Sequence, residues 1–186
     1  MPVSQINANE PVSYVPTGDE AETLLSTIDR IRSTFGWKCS GLDAAGMSAR
    51  LGPSTVTLGG LVKHMALVED LYFTSWLAGG DMPQAWHEYE GVDWEWRSAA
   101  DDTPDDLLEL WRAAVARSRV ATAEALARDG LATLTLKPRH GQEILNLRRI
   151  IADLIEEYAR HTGHADLIRE SIDGLVGEDP PQEWPL

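Results

Sequence analysis

Four stretches of this chain repeat apolar residues at intervals of three and four, the spacing that places side chains on one face of an α-helix. The predicted helices cover about 19–41, 58–77, 103–130 and 143–172. Residues suited to capping stand at their ends: Asp19, with Glu22 completing a capping box, Thr57, Thr103 followed by Pro104, Gly130 and Gly174. The pattern predicts four long helices.

The links between these helices contain no convincing strand pattern, although residues 133–136 could be briefly extended. Residues 80–103 form a long irregular connection, and a connection of that length in a compact domain is usually functional. The pattern therefore predicts an all-α fold, a four-helix bundle with a long connection after the second helix. We expect an extended N-terminal arm over 1–18, the bundle over 19–175 and a C-terminal tail over 176–186.

The length and the charge of the chain limit the number of domains and the kinds of partner that can be expected. At 186 residues the chain is the size of one domain. Its formal charge of -14 argues against partners such as nucleic acid or an anionic membrane surface, because no basic stripe could neutralise phosphates. No apolar run is long enough to span a bilayer, and the first residues lack a basic region followed by an apolar one. The expected location is cytoplasmic.

Two histidines and a glutamate share one face of the fourth predicted helix. Glu157, His161 and His164 follow at intervals of four and three, and His161 interrupts a mainly apolar seam. A third histidine, His64, adjoins the apolar stripe of the second helix, although spacing alone places it equally well at the surface. His64, Glu157 and His161 could converge on a metal ion, which would compensate a buried carboxylate; a hydrogen-bonded polar cluster is the alternative.

Two histidines and one carboxylate would leave positions open on a metal, which is typical of a catalytic site. Zinc, with water at the open position, is the metal expected first, and nickel, iron or manganese would accept the same ligands. His164 could be a fourth ligand, a residue that orients a ligand, or a base facing the substrate. Asp153 could orient a ligand, or it could be a solvated acid.

Other residues receive simpler interpretations. Gly163 suggests a close helix approach, and the single Cys39 an inert buried thiol. Trp76 and Trp111 are expected in the core. Trp86, Trp94 and Trp96 lie in the long connection and are candidates for a pocket wall.

Three segments together, LGGLVKHMALVEDLYF, DWEWRSAADDTPDDLLELW and EEYARHTGHADLIRE, resemble the DinB superfamily. More narrowly they resemble its DUF664 branch, which is related to mycothiol-dependent S-transferases and maleylpyruvate isomerase. The resemblance covers roughly residues 19–174. It implies an up-down-down-up bundle with a divalent metal at one end, held by His64 from the second helix and by Glu157 and His161 from the last.

The resemblance also implies an activity, in which the metal activates a low-molecular-weight thiol. The leading hypothesis is a metal-dependent thiol S-transferase in which the thiol, with mycothiol as a candidate cosubstrate, attacks a small electrophile. His164 is the residue expected to orient water or substrate. A metal-dependent hydrolase and a non-catalytic metal-binding or scaffold bundle are the alternatives. The partners are then a small thiol and an electrophile, and a homodimer remains open.

Overall fold

Four long helices make up most of the computed structural model, which describes residues 13–181 and 184. The helices are α1 (Glu20–Lys38), α2 (Ala44–Met47), α3 (Leu58–Glu69), α4 (Trp94–Ser98), α5 (Pro104–Asp129) and α6 (Leu147–Asp173). A π-helical segment, Asp70–Leu77, continues α3, and 3₁₀ turns lie at Gln84–Trp86 and Gly130–Ala132. Over the described part of the chain there are isolated β-bridges but no strand. The predicted all-α, DinB-like bundle is confirmed.

Contacts between the long helices give their directions. α1 and α6 run parallel, because Glu20 pairs with Arg148 near their starts and Lys38 pairs with Asp166 near their ends. α3 and α5 are also parallel. Lys63 reaches Asp102, just before α5, and Asp70 binds Arg117 farther along. α6 runs antiparallel to α3, since Glu69 meets Tyr158 whereas the earlier His64 meets the later His161. The arrangement is up-down-down-up.

The caps expected from the sequence are present at three helix starts. The Asp19 carboxylate accepts a hydrogen bond from the Glu22 amide, and Thr57 and Thr103 cap α3 and α5 in the same way. The predicted start of the last helix at about 143 is wrong. α6 begins at Leu147, because Asn146 supplies its cap and the Leu147 amide donates to the Thr133 carbonyl in the preceding link.

A buried polar network crosses the middle of the bundle. Glu69, which is fully buried, accepts two hydrogen bonds from Arg32 at 2.8 and 2.7 Å and one from the Tyr158 hydroxyl at 2.7 Å. Tyr158 accepts in turn from the Trp111 indole at 2.7 Å. Each of these groups has a partner, so none carries the cost of an unpaired buried polar group, and the network fixes the rotation of α6 about its axis.

The chain after α6 returns along α1. The Glu178 carbonyl accepts from Thr34, and Asp179 pairs with Arg30 at 2.9 Å. Residues 1–12 of the expected N-terminal arm lie outside the described residues, so the boundaries of the arm and tail stay predictions. Within the described part of the chain, no helix has both the length and the apolar character needed to cross a bilayer.

Candidate metal and thiol site

His64 is held in place by the first turns of α3. Glycines 59 and 60 let that part of the helix come close to its neighbours. A Cβ added at Gly59 would lie 3.3 Å from the Met47 carbonyl oxygen, and one at Gly60 would lie 2.9 Å from the Trp96 ring. One turn later the His64 imidazole stacks on Trp96, with ring centroids 4.6 Å apart and planes 24° apart. Its Nδ1 lies 3.1 Å from Glu95 Oε1.

Glu157 and His161 approach His64 from α6. The two residues are one helical turn apart, and Glu157 Oε2 lies 3.3 Å from His161 Nε2 and 3.9 Å from His64 Nε2. The fully buried Tyr158, beside Glu157, sets the rotation that turns this face inward. His161 is buried, while the Glu157 side chain is 25% exposed. The cluster therefore opens to solvent on its carboxylate side.

One donor atom from each of His64, Glu157 and His161 lies within 4.8 Å of the others. Ligands of a tetrahedral zinc ion bind at about 2.0–2.2 Å, so such atoms stand roughly 3.3 Å apart. The separation between Glu157 and His161 already fits, and His64 would need only a small movement. The structure brings together the three residues that the spacing singled out, and their role as metal ligands stays a prediction.

Hydrogen bonds within the cluster shift the pKa values of its members. Burial lowers the pKa of His64, but the two neighbouring carboxylates, Glu157 and Glu95, together outweigh this effect and raise the pKa overall. The imidazoles of His161 and His64 hold the pKa of Glu157 well below its usual range. Burial is the largest single effect on Glu95 and raises its pKa, but the hydrogen bond to His64, a backbone hydrogen bond and the charges of His64 and Arg97 together lower the pKa overall. Both carboxylates are therefore anionic at neutral pH.

His164 lies on the far side of His161 from the carboxylate. Its Nδ1 is 3.3 Å from His161 Nδ1, the ring nitrogen opposite to the one that faces Glu157. His164 is exposed and lies outside the group of three donors. Burial and the positive charges of His161 and Arg160 lower its pKa. Of the three roles that the sequence left open, this placement favours orienting His161.

Glu95 is the residue that sequence reasoning missed. It lies on α4 in the long connection, with a side chain only 7% exposed, and its Oε2 is buried without a hydrogen-bond partner among the described residues. Metal-binding histidines commonly donate their second N–H to such a carboxylate. Helical spacing could not reveal this residue, because the connection carries no periodic pattern. The only signal was its place in the DWEWR segment.

The three tryptophans of the long connection have different environments. Trp96 forms a wall of the site through its stacking on His64. Trp86 belongs to the core, where its indole donates to Asp70 at 2.8 Å. Trp94 lies under the Lys63 ammonium, 4.5 Å from the ring centroid. The pocket-wall prediction therefore fits Trp96 best.

Two further candidate residues, Asp153 and Cys39, are not part of the cluster. Asp153 pairs with Arg149 at 2.7 Å and lies 3.5 Å from Arg139, so the structure gives it no contact with a candidate ligand. Cys39 follows the end of α1 and is fully buried, and burial raises the pKa of its thiol. A buried thiol of raised pKa is a poor nucleophile, so the expected inert character of Cys39 agrees with its surroundings.

An up-down-down-up bundle that gathers two imidazoles and a carboxylate beside a water-accessible opening defines a class of four-helix proteins with a candidate catalytic metal site. The profile of the Mycothiol-S-transferase family matches residues 23–174, more than four-fifths of the chain. This chain belongs to that family, which confirms the resemblance to the DUF664 branch of the DinB superfamily. No curated protein and no solved structure matches it significantly.

Proposed function

We propose that this protein is a metal-dependent thiol S-transferase, in which His64, Glu157 and His161 hold a divalent transition metal, zinc first among the candidates. A low-molecular-weight thiol, mycothiol by the family's name, would be the cosubstrate, and a small electrophile the acceptor. The observation that carries the proposal is the convergence of the three donor atoms within 4.8 Å in a chain of this family.

The residues present fit a metal of this kind. Two imidazole nitrogens and one carboxylate oxygen form a donor set that zinc, nickel, iron and manganese all accept. Both Nε2 atoms face Glu157, and the anionic Glu95 beside His64 has an oxygen to spare. The buried carboxylate of Glu95 beside His64 Nδ1 is of the kind that commonly orients a metal-bound histidine.

A divalent ion bound there would deprotonate a coordinated thiol at neutral pH, and the thiolate is the nucleophilic form. The chain itself supplies orientation. His64 donates its Nδ1 proton to Glu95, which leaves Nε2 as the ligand atom. With a metal at its Nε2, His161 would carry its proton on Nδ1, and His164 Nδ1, 3.3 Å away, could accept it. Trp96 covers one face of His64 and excludes water from it.

The thiol must come from outside the chain. Cys39 is the single cysteine, and it is buried and absent from the cluster. The exposed edge of Glu157 marks the side from which a cosubstrate could approach. These two facts favour an exogenous thiol over a protein-bound one.

The test is a turnover assay of the zinc-loaded protein with mycothiol and the fluorogenic acceptor monochlorobimane. We expect a rate above the thiol-only background, lost after chelation and in His161→Ala, and kept in His87→Ala, a matched change at an exposed histidine of the long connection. Equal turnover in His161→Ala would refute the proposal. Hydrolysis of an ester panel without thiol would instead support the hydrolase alternative.

A further inference from the structure

A cavity lies beside Trp96, and none of the three candidate metal ligands lines it. Its volume is about 520 Å³, within the range of small-molecule sites. Residues of α2 and α4 and the segment that leads into α3 line it, and Trp96 forms a wall common to this cavity and to His64. We refer to it as the arginine pocket, after Arg50 and Arg97 in its lining.

The charge of this pocket is unusual for the chain. The chain contains sixteen lysines and arginines, and twelve of them lie within 4.0 Å of a carboxylate. Among the described residues, the four without such a partner are Arg50, Arg97, Arg112 and Arg128. Two of these four line the same pocket. In a protein of charge -14, two guanidinium groups without a direct ion pair at one place form a local attraction for anions, although the charge of Arg97 also acts on Glu95.

Other groups in the pocket suit a ligand with an anionic end and an apolar body. The hydroxyls of Ser48 and Thr55 are hydrogen-bond donors, and Thr57, the cap of α3, places the positive end of that helix dipole at the wall. Val56 and Trp96 add apolar surface. One acid, Asp93, also lines the pocket and reduces its net positive charge to about that of one arginine.

We propose that the arginine pocket binds the carboxylate of the electrophilic acceptor, so that the substrates of this site are small anionic electrophiles. Arg50 and Arg97 bind the carboxylate, and the apolar part of the acceptor extends along Trp96 toward the metal cluster. Guanidinium groups suit this role because they bind carboxylates in a planar, bidentate manner. The inference rests on the proposed function in treating the ligand as the acceptor of the reaction. Binding of the carboxylate can be measured without any turnover.

The test compares two probes of nearly the same shape, the anionic cinnamate and the neutral cinnamamide, by isothermal titration at low salt with zinc-loaded protein. Cinnamate is expected to bind the wild-type protein more tightly than cinnamamide. Arg50→Gln and Arg97→Gln are each expected to weaken cinnamate binding about five- to tenfold, a modest effect because both side chains are exposed and screened. Arg112→Gln, the same change at another exposed arginine without an ion-pair partner, should leave binding unchanged.

A carboxylate could also bind the metal directly, and the same titration in chelated protein separates the two sites. Binding that persists without zinc supports the arginine pocket as the binding site if it also shifts the NMR signal of the Trp96 indole N–H. That signal is assigned by its absence in Trp96→Phe. Binding that disappears on chelation, or that ignores both arginine substitutions, overturns the inference. Failure of thiol turnover alone would contradict the proposed function and leave this binding result standing.

Discussion

Replacing Glu95 by Gln tests whether this carboxylate orients a metal ligand. The substitution keeps the shape of the side chain and an oxygen that can accept from His64 Nδ1, now 3.1 Å from Glu95 Oε1, but removes the charge. A neutral acceptor makes a weaker hydrogen bond, so His64 is held less firmly in the tautomer that presents Nε2. Metal affinity should therefore fall, although Glu95 is not itself a ligand.

The expected size follows from the contacts of Glu95. Outer-sphere carboxylates of metal-bound histidines typically contribute ten- to a hundredfold in affinity, or about 1.4 to 2.7 kcal/mol. Glu95→Gln retains an acceptor and should lie near tenfold, whereas Glu95→Ala loses the bond and should approach a hundredfold. The metal-free protein should lose less stability with Gln than with Ala, because the amide oxygen can still accept from His64 Nδ1 and Oε2 has no hydrogen-bond partner to lose.

Zinc affinity can be measured by competition with a chromophoric chelator, and metal-free stability by urea unfolding. Glu90→Gln is the matched control, since Glu90 is exposed in the same connection and its substitution removes the same charge. Unchanged zinc affinity in both Glu95 variants would refute the orienting role. So would a loss of metal-free stability as large as the loss of binding energy, because Glu95 would then support the fold.

Three further outcomes follow from particular side chains. Gly163→Ala should stabilise the protein by up to about 1 kcal/mol and raise Tm by about 2–4 °C, because nothing lies within 4 Å of the added Cβ. Gly36→Ala should instead destabilise the protein, because the added Cβ would lie 2.8 Å from Trp111. Native Cys39 should resist a thiol-reactive dye until urea unfolds the chain, and Cys39→Ala should keep thiol-dependent turnover; rapid labelling would contradict its burial. The pKa of His64 is raised in the folded protein, so in chelated protein its contribution to stability is complete below about pH 6.5 and is lost as the pH rises through the raised, folded-state pKa. His64→Gln should therefore flatten the decline of Tm above pH 6.5.

Local signals in the sequence were enough to predict the four long helices. The caps at Asp19, Thr57 and Thr103 are short-range features, and each forms the expected hydrogen bond in the structure. The start of α6 was misplaced because the preceding residues belong to a bridged link, in which Leu134 pairs with Asn146. Such pairing depends on a neighbour distant in sequence, which apolar spacing does not encode.

The π-helical segment after α3 was also beyond the reach of spacing. Glu69 and Asp70 are consecutive and both fully buried, yet Glu69 binds Arg32 of α1 while Asp70 binds Arg117 of α5. Two adjacent buried acids facing different helices require partners that only the assembled bundle supplies. The sequence shows the acids and the arginines but not which arginine pairs with which acid.

The candidate site could be predicted in part. Glu157 and His161 are one turn apart, so their shared face follows from helix geometry alone. The contribution of His64 could not be predicted from spacing, because it depends on how α3 packs against α6. The position of Glu95 beside His64 could not be predicted either, because it depends on the path of the long connection. Gly163, interpreted from sequence as a close helix contact, proved to be open to solvent, because helical spacing does not reveal which side of a glycine is covered.

The most direct test of the central claim is the metal content of the untagged protein by elemental analysis, beside His64→Ala and His161→Ala, after equilibration with zinc and desalting. We predict about one zinc ion per chain in the wild-type protein and in a His87→Ala control, and its loss in both site variants. A wild-type protein that retains no zinc, nickel, iron or manganese, or variants that bind as much as it does, would contradict the metal site and the thiol chemistry proposed for it.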